Sequence, residues 1–599
     1  MLVLLGVWVL ITIVLWGIGD ASILLYSKLR KQNEKYTFLD TFILGLSLSF
    51  IPLGLCSLWI PIDIKLTFIF TALALLYIFF FRLTFIKYKL IEWKKQLISC
   101  SPTAKISFIL FLLAVIVYNL ISASAFDAVN YHYQQTAWNE QFAVVPGLAN
   151  LESRFGFNSN HLLLSALFAF TEQLGEPLYA IQSLLSFFFG CWIFRECVTS
   201  KLAYNRLFLL ALFATFYIFQ NEHITNSSTD IIPSLIILYL ASKLIFYPDS
   251  LKTSTLLYAI IPIALVTIKI SVVPFYIISL VIYLLLIRNR DYRSITILIT
   301  LSLCILIPWF IRNAIISGYV IYPVHWIDLF SFEWKVPKFV AELEHGYIRD
   351  FAWARFFENV TFEPLRKWLN GQHYIFFILI AQTSIAGIFS WIVFASPFIV
   401  FLKNFISKNK LHTVHLLLYV VLALIILVSF SAPDFRFVSG VYYAIIFFLF
   451  TLLFSSKKKQ GKYYFLLFLS ICMLLGATKN FHNFEVQRKL FASKREVVSV
   501  LVQPYGPKAL SSITIANFET YQLGDLTIYL SNLGVGGITY DILPATFMTD
   551  SREAFNRSKK FLPLEAIEPR SNKLSDGFNP IKDVNSGWWV RDNNWWNGY

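Results

Sequence analysis

Continuous apolar runs of membrane length fill most of the first 480 residues, and they leave little choice of fold. A helix needs about 20 mostly apolar residues to cross a bilayer. Runs of this kind lie at roughly 2–20, 38–60, 65–85, 106–125, 177–195, 207–220, 231–247, 255–268, 271–287, 294–311, 376–402, 413–430, 441–455 and 463–479. A membrane β-barrel would alternate apolar and polar residues, and these runs do not. Only 14% of the chain is charged, against about one-quarter in soluble domains. The expectation is an all-α polytopic membrane protein of about 14 spans. The first run lacks a basic flank before it and is followed by KLRKQNEK, so it reads as a retained span.

The net charge of +15 does not point to nucleic acid. Lysines and arginines sit in short clusters between apolar runs, the positive-inside signature of cytoplasmic loops. The clusters are Lys28 to Lys35, Lys87 to Lys95, Arg195 to Arg206, Lys252, Arg288 to Arg293, Lys403 to Lys410 and Lys457 to Lys462. Placing all of them inside requires an outer N-terminus and two crossings within 255–287, with Lys269 at an outer turn. The run 161–174 then reads as a re-entrant or interfacial helix. The opposite face collects the loops 126–176, 221–230, 312–375 and 431–440 and a tail from 480. Residues 1–479 are thus a transmembrane domain with large outer loops at 126–176 and 312–375. Residues 480–599 shift to β-branched runs broken by Gly, Asn and Pro, and read as a small mixed α/β outer domain. Its end, SGWWVRDNNWWNGY, suits a lid, a carbohydrate-contacting flap or a headgroup anchor. The six cysteines lie in or beside apolar segments and give neither a disulfide framework nor a zinc spacing.

The polar residues of these outer loops are the candidates for chemistry, because ionic groups at membrane depth are costly. Asp127 opens DAVNYHYQQTAWNEQFAVVPGLANLESRFGFNSN and can act as a general base for an acceptor hydroxyl; the alternative is a solvated helix end. His132 can assist it, although a lone histidine is more often structural. Asn150, Arg154 and Asn158 recur every four residues, which on a helix gives one face. Arg154 can clamp a phosphate or pair with Glu152 or Asp127. Asp230 can cap the following helix or hold an acceptor. Lys269 can bind a lipid phosphate or snorkel to headgroups. Arg312 ends a span, and Asp434 and Arg436 form a short Asp-x-Arg loop that a local salt bridge also explains. Lys269, Arg312 and Arg436 together supply charge for a departing phosphate. YHYQQTAWNEQF and KFVAELEHGYIRDFAWARFFENV both look amphipathic, as interfacial helices do.

The order of parts resembles the GT-C superfamily of polyprenyl-phosphate-sugar-dependent glycosyltransferases. WFIRNAIISGYVIYP (309–323) is similar to an Arg-Asn…Gly…Tyr-Pro stretch of several GT-C families. FDAVNYHYQQTAWNEQFAVVPGLANLESRFGFNSN looks like the hallmark of a bacterial family of multi-span proteins, and DFRF (434–437) and DGF (576–578) fit that family too. The resemblance implies that Asp127 occupies the first-loop acidic position that is catalytic or contacts the acceptor. Many GT-C enzymes carry two neighbouring acidic residues there. Here the nearest is Glu140, which favours a single-carboxylate mechanism without a divalent metal, and no cofactor is expected.

The expected function is transfer of a sugar from a polyprenyl-phosphate-linked donor to a glycan, lipid or protein acceptor on the periplasmic face of a bacterial inner membrane. Asp127 would be the base and Arg154, Lys269, Arg312 and Arg436 the phosphate-side cations. His132, Asn150, Asn158, Asp230 and Asp434 would support the acceptor side. Both termini would be periplasmic, membrane lipids the surroundings, and nucleic acid no partner. The alternatives are a transporter or flippase of lipid-linked saccharides, and a non-catalytic protein of envelope polysaccharide assembly.

Overall fold

The computed structural model describes residues 1–31, 34–120, 127–372, 377–406, 411–454, 462–490, 497–504, 518–531, 542–547, 562 and 564–582. It is mostly helical. Among the described residues, nine helices are long and apolar enough to cross a membrane, and five more apolar helices of 10–17 residues accompany them. The chain is a multi-pass membrane protein.

Local sequence signals set the helix starts. Thr37 and Asp40 form a capping box at Phe38–Cys56. Asp63 caps Ile64–Tyr77, Ser101 caps Pro102–Asn119 with proline in the first turn, and Asp291 caps Tyr292–Ser317. The helices Leu2–Arg30 and Phe38–Cys56 cross in near backbone contact. A Cβ on Gly19 would stand 1.9 Å from the Thr41 carbonyl oxygen, and one on Gly45 would stand 1.6 Å from that of Leu15. Only glycine permits this approach, which substitutes close packing for the hydrophobic drive that lipid cannot supply. Asp40 is fully buried, takes the Lys243 ammonium at 2.6 Å and the Tyr239 hydroxyl at 2.7 Å, and so ties Phe38–Cys56 to Ile231–Phe246.

The 255–287 region is a helical hairpin. Thr255–Val266 is followed by a turn and a 3-10 segment, then Tyr276–Arg288 runs back along it. Ser279 Oγ donates to the Ala259 carbonyl at 2.8 Å across the pair. At the hairpin's open end Arg30 pairs with Asp291 at 2.9 Å and donates to Thr255 at 3.0 Å, so the basic clusters around 30 and 290 lie together. Lys269 lies at the other end. The 161–174 region is broken into Asn160–Leu167 and Thr171–Leu174, with Phe170 in the left-handed conformation between them, so it forms no continuous span.

Two expectations about the loops change. YHYQQTAWNEQF does form a helix, a π-helical turn Ala128–His132 running into Tyr133–Gln141. Residues 133–138 are all buried, so protein and not headgroups covers this helix. VPGLANLESRFGFNSN is not one helix. A turn at Leu148–Leu151 and a 3-10 turn at Ser153–Gly156 are separated by extended backbone at Glu152. Asn150, Arg154 and Asn158 therefore point to different neighbours. Lys338–Val360 is helical throughout, with Phe357 exposed and Val340, Ala341, Glu344 and Tyr347 buried.

The C-terminal strands share a core with these loops. Phe518–Leu523 pairs antiparallel with Leu526–Ser531, which pairs parallel with Ala545–Phe547. Ile567–Pro569 pairs antiparallel with Phe578–Pro580. Ile528, Leu564, Ile567 and Phe578 bury against a cluster holding Leu151, Phe155, Tyr319 and Val340. The aromatic end SGWWVRDNNWWNGY lies outside the described residues. The N-terminus meets the later chain, where the Val3 amide donates to the Val502 carbonyl at 2.9 Å.

Candidate functional site

Six charged side chains from six segments form one alternating string at an end of the helix bundle. In order they are Lys269, Asp230, Arg436, Asp127, Arg154 and Glu344. Lys269 pairs with Asp230. Arg436 bridges two carboxylates, with Nε 3.5 Å from Asp230 and Nη1 2.8 Å from Asp127. Arg154 bridges the next two, with Nη1 3.7 Å from Asp127 and Nε 3.6 Å from Glu344. The Ser153 hydroxyl closes the string by donating to Glu344 at 2.7 Å.

Each member is placed by a local device. Asp127 stands at the head of the π-helical turn. Asp230 precedes Ile231–Phe246, but its carboxylate makes no capping bond and goes to the two cations instead. Lys269 occupies the turn of the 255–287 hairpin, where an ion pair and not headgroup snorkelling satisfies it; its ammonium lies 4.0 Å from the Phe437 ring centre. Arg436 sits in the 3-10 turn Phe435–Val438, whose start is fixed by Asp434 accepting from the Arg436 amide at 2.9 Å. The Arg154 guanidinium lies between Tyr131 and Tyr347, 5.4 and 5.3 Å from their ring centres.

The string is graded in accessibility. Side chains of Lys269, Arg436 and Asp127 keep 17%, 21% and 18% exposure, whereas Glu344 has none. The string is therefore partly accessible at Lys269, Arg436 and Asp127 and closed at Glu344. Burial pushes the Asp127 carboxyl upward, but Arg436 and then Arg154 outweigh it and hold it well below the usual carboxylate range. His132 is 3% exposed, and neither ring nitrogen has a hydrogen-bond partner. Burial lowers it to about 3, so it is neutral at pH 7. His223 is also pushed to about 3, by burial and then by Arg436.

Arg312, Asn150 and Asn158 do other work. Arg312 donates to Asn139 at 2.9 Å, to Asn158 at 3.3 Å and to the Ser57 carbonyl at 3.5 Å, and it makes no ion pair among the described residues. It borders a cavity of about 20 Å³ with Gln135 and Trp138, room for one water. Asn158 also donates to the Trp309 carbonyl at 3.0 Å. Asn150 donates to the carbonyls of Trp334 at 2.8 Å and Phe578 at 3.1 Å, which docks the C-terminal strands. The carboxylates of the string are separated by cations, and among the described residues no three His, Cys, Asp or Glu side chains converge as metal ligands.

Glu344 and His223 were not picked out from the sequence. Glu344 had a signal: it lies on the buried stripe 340, 341, 344, 347 of its helix, where a carboxylate needs a partner. His223, in the short polar loop NEHITN, had none.

Fold and site together define a polytopic membrane protein carrying a charge-balanced polar site at one end of its bundle. Residues 1–443 match the family described as a domain of unknown function, DUF8201, and the chain belongs to that family. No curated protein and no solved structure matches it.

Proposed function

We propose that the protein is a GT-C-type glycosyltransferase of the bacterial inner membrane, crossing it about 14 times with both termini in the periplasm. It transfers a sugar from a polyprenyl-phosphate-linked donor to a glycan, lipid or protein hydroxyl on the periplasmic face. The observation that carries this reading is the position of Asp127, shared between Arg436 and Arg154 and one carboxylate removed from Lys269.

The chemistry follows from that placement. The acceptor oxygen attacks the anomeric carbon while the bond from that carbon to the phosphate oxygen breaks. The bonding electrons leave with the phosphate, whose growing charge Arg436 and Lys269 stabilise. Asp127 takes the acceptor proton, and Arg154 positions its carboxylate. Arg312 supports the loops behind the site. The gathering of charge at one end of the bundle favours an enzyme over a transporter, which would use polar groups near the midplane.

The test is complementation of a deletion strain, with lipid-linked and surface glycans compared by mass spectrometry. Wild type restores the missing product, and Asp127→Asn, present in equal amount, does not. Restoration by Asp127→Asn would remove this carboxylate from the mechanism.

A further inference from the structure

Every cation in the string is already neutralised by a carboxylate, so an entering anion finds no free positive charge. We propose that Lys269 and Arg436 form a phosphate-binding site occupied at rest by Asp230 and Asp127, and that a phosphate ester enters by displacing both carboxylates. This rests on the reading of a phosphate-linked donor.

Three observations place the exchange at this point of the string. Arg436 is split between carboxylates on two segments, at 2.8 and 3.5 Å, and its Nε has no hydrogen bond. A guanidinium fork is better matched by two oxygens of one phosphate. The least buried members are Lys269, Arg436 and Asp127, while Arg154 is held between two rings and closed off by Glu344. The released Asp127 also has somewhere to go. The π-helical segment spaces Asp127 and His132 by five residues, about one of its turns, so both stand on one side. His132 is buried there with both ring nitrogens unpartnered. A buried imidazole left this way is costly, and a freed carboxylate accepts from its one N–H.

Asp230 then sets the affinity of the site. Exchange also couples donor binding to catalysis. While Arg436 holds Asp127 the carboxylate is a poor base, and it gains basicity only when the phosphate draws Arg436 away. A site without donor is thereby kept from activating water or acceptor.

The test is direct binding to the full chain in nanodiscs, read by calorimetry, with inorganic phosphate and geranyl phosphate as the two probes. Asp230→Asn frees Lys269 and one arm of Arg436, and it binds either probe at least about tenfold tighter than wild type, because one repelling charge a few Å from the anion is gone. Arg436→Gln abolishes binding. Geranyl phosphate binding more tightly than inorganic phosphate marks the ligand as lipid-borne, and equal affinity marks it as free phosphate. Unchanged or weaker binding by Asp230→Asn, or no binding by any variant, overturns the proposal. Should Asp230→Asn fail to fold, Asp127→Asn relieves the same guanidinium and must shift affinity in the same direction. Tighter binding by these variants, alongside unaltered glycans in the deletion strain, would keep the site and remove the glycosyltransferase.

Discussion

Replacing Gly147 by alanine should undock the C-terminal strands from the loop that carries Arg154. Gly147 has φ +62°, and a Cβ there would stand 2.1 Å from the Phe578 carbonyl oxygen, 2.8 Å from Trp334 Cβ and 3.0 Å from Asn150 Nδ2. The left-handed backbone alone costs alanine about 1–2 kcal/mol. The clash then forces 578 away and breaks two hydrogen bonds, from the Phe578 amide to Pro146 O at 3.1 Å and from Asn150 to Phe578 O at 3.1 Å. Each is worth about 1 kcal/mol net. The total, about 3–4 kcal/mol, lowers the docking equilibrium constant by a factor on the order of several hundred. Gly577 is the mirror case, with φ +89° and a Cβ position 1.8 Å from Pro146 O. Gly577→Ala breaks the same two bonds while carrying its own backbone cost, so the double variant must cost about 2 kcal/mol less than the sum of the two. Amide hydrogen exchange of residues 564–582 in nanodiscs reads the effect directly. Protection of the 578–580 strand that survives Gly147→Ala, or additive single effects, refutes the docking argument.

Arg312→Gln removes one good and two long bonds from a cation, and should lower stability by about 2–3 kcal/mol; thermal unfolding reads this. Its phosphate affinity should change far less than that of Arg436→Gln, and an equal loss would return Arg312 to the anion site. Acid should destabilise the protein from about pH 6.5 downward. Burial holds His132, His161 and His223 near 3, against about 6.5 in the unfolded chain. The unfolded chain therefore binds more protons between those values, and stability falls as pH drops below about 6.5, by up to about 1.4 kcal/mol per pH unit for each histidine. Asp127, held low, adds a loss of the same sign only below about 3.8. A flat thermal midpoint from pH 7 to pH 5, or a slope unchanged in His161→Gln, contradicts this.

What the sequence made legible follows from which costs are local. Apolar length is local, so the helices could be read directly. Charge parity is nearly local, and it split 255–287 into the hairpin that puts Lys269 at a turn. The expense of ionic groups at membrane depth is also local, and it picked out Asp127, Arg154, Asp230, Lys269 and Arg436. Pairing is not local. Arg436 meets Asp127 and Asp230 only because three loops reach the same end of the bundle, and nothing in DFRF distinguishes that from a bond within the loop. The four-residue recurrence of Asn150, Arg154 and Asn158 misled for a related reason. It assumes continuous helix, and the extended Glu152 and non-helical Phe157 remove that continuity. Aromatic spacing in YHYQQTAWNEQF gives a helix but not what covers it, since a headgroup layer and a protein wall reward the same pattern. Glu344 shows where more could have been read. A carboxylate on an apolar stripe implies a cation opposite, and Arg154 is the only lysine or arginine in the 126–176 loop. Such a stripe signals that Glu344 needs a cation, but that the cation is Arg154 emerges only when the two loops meet.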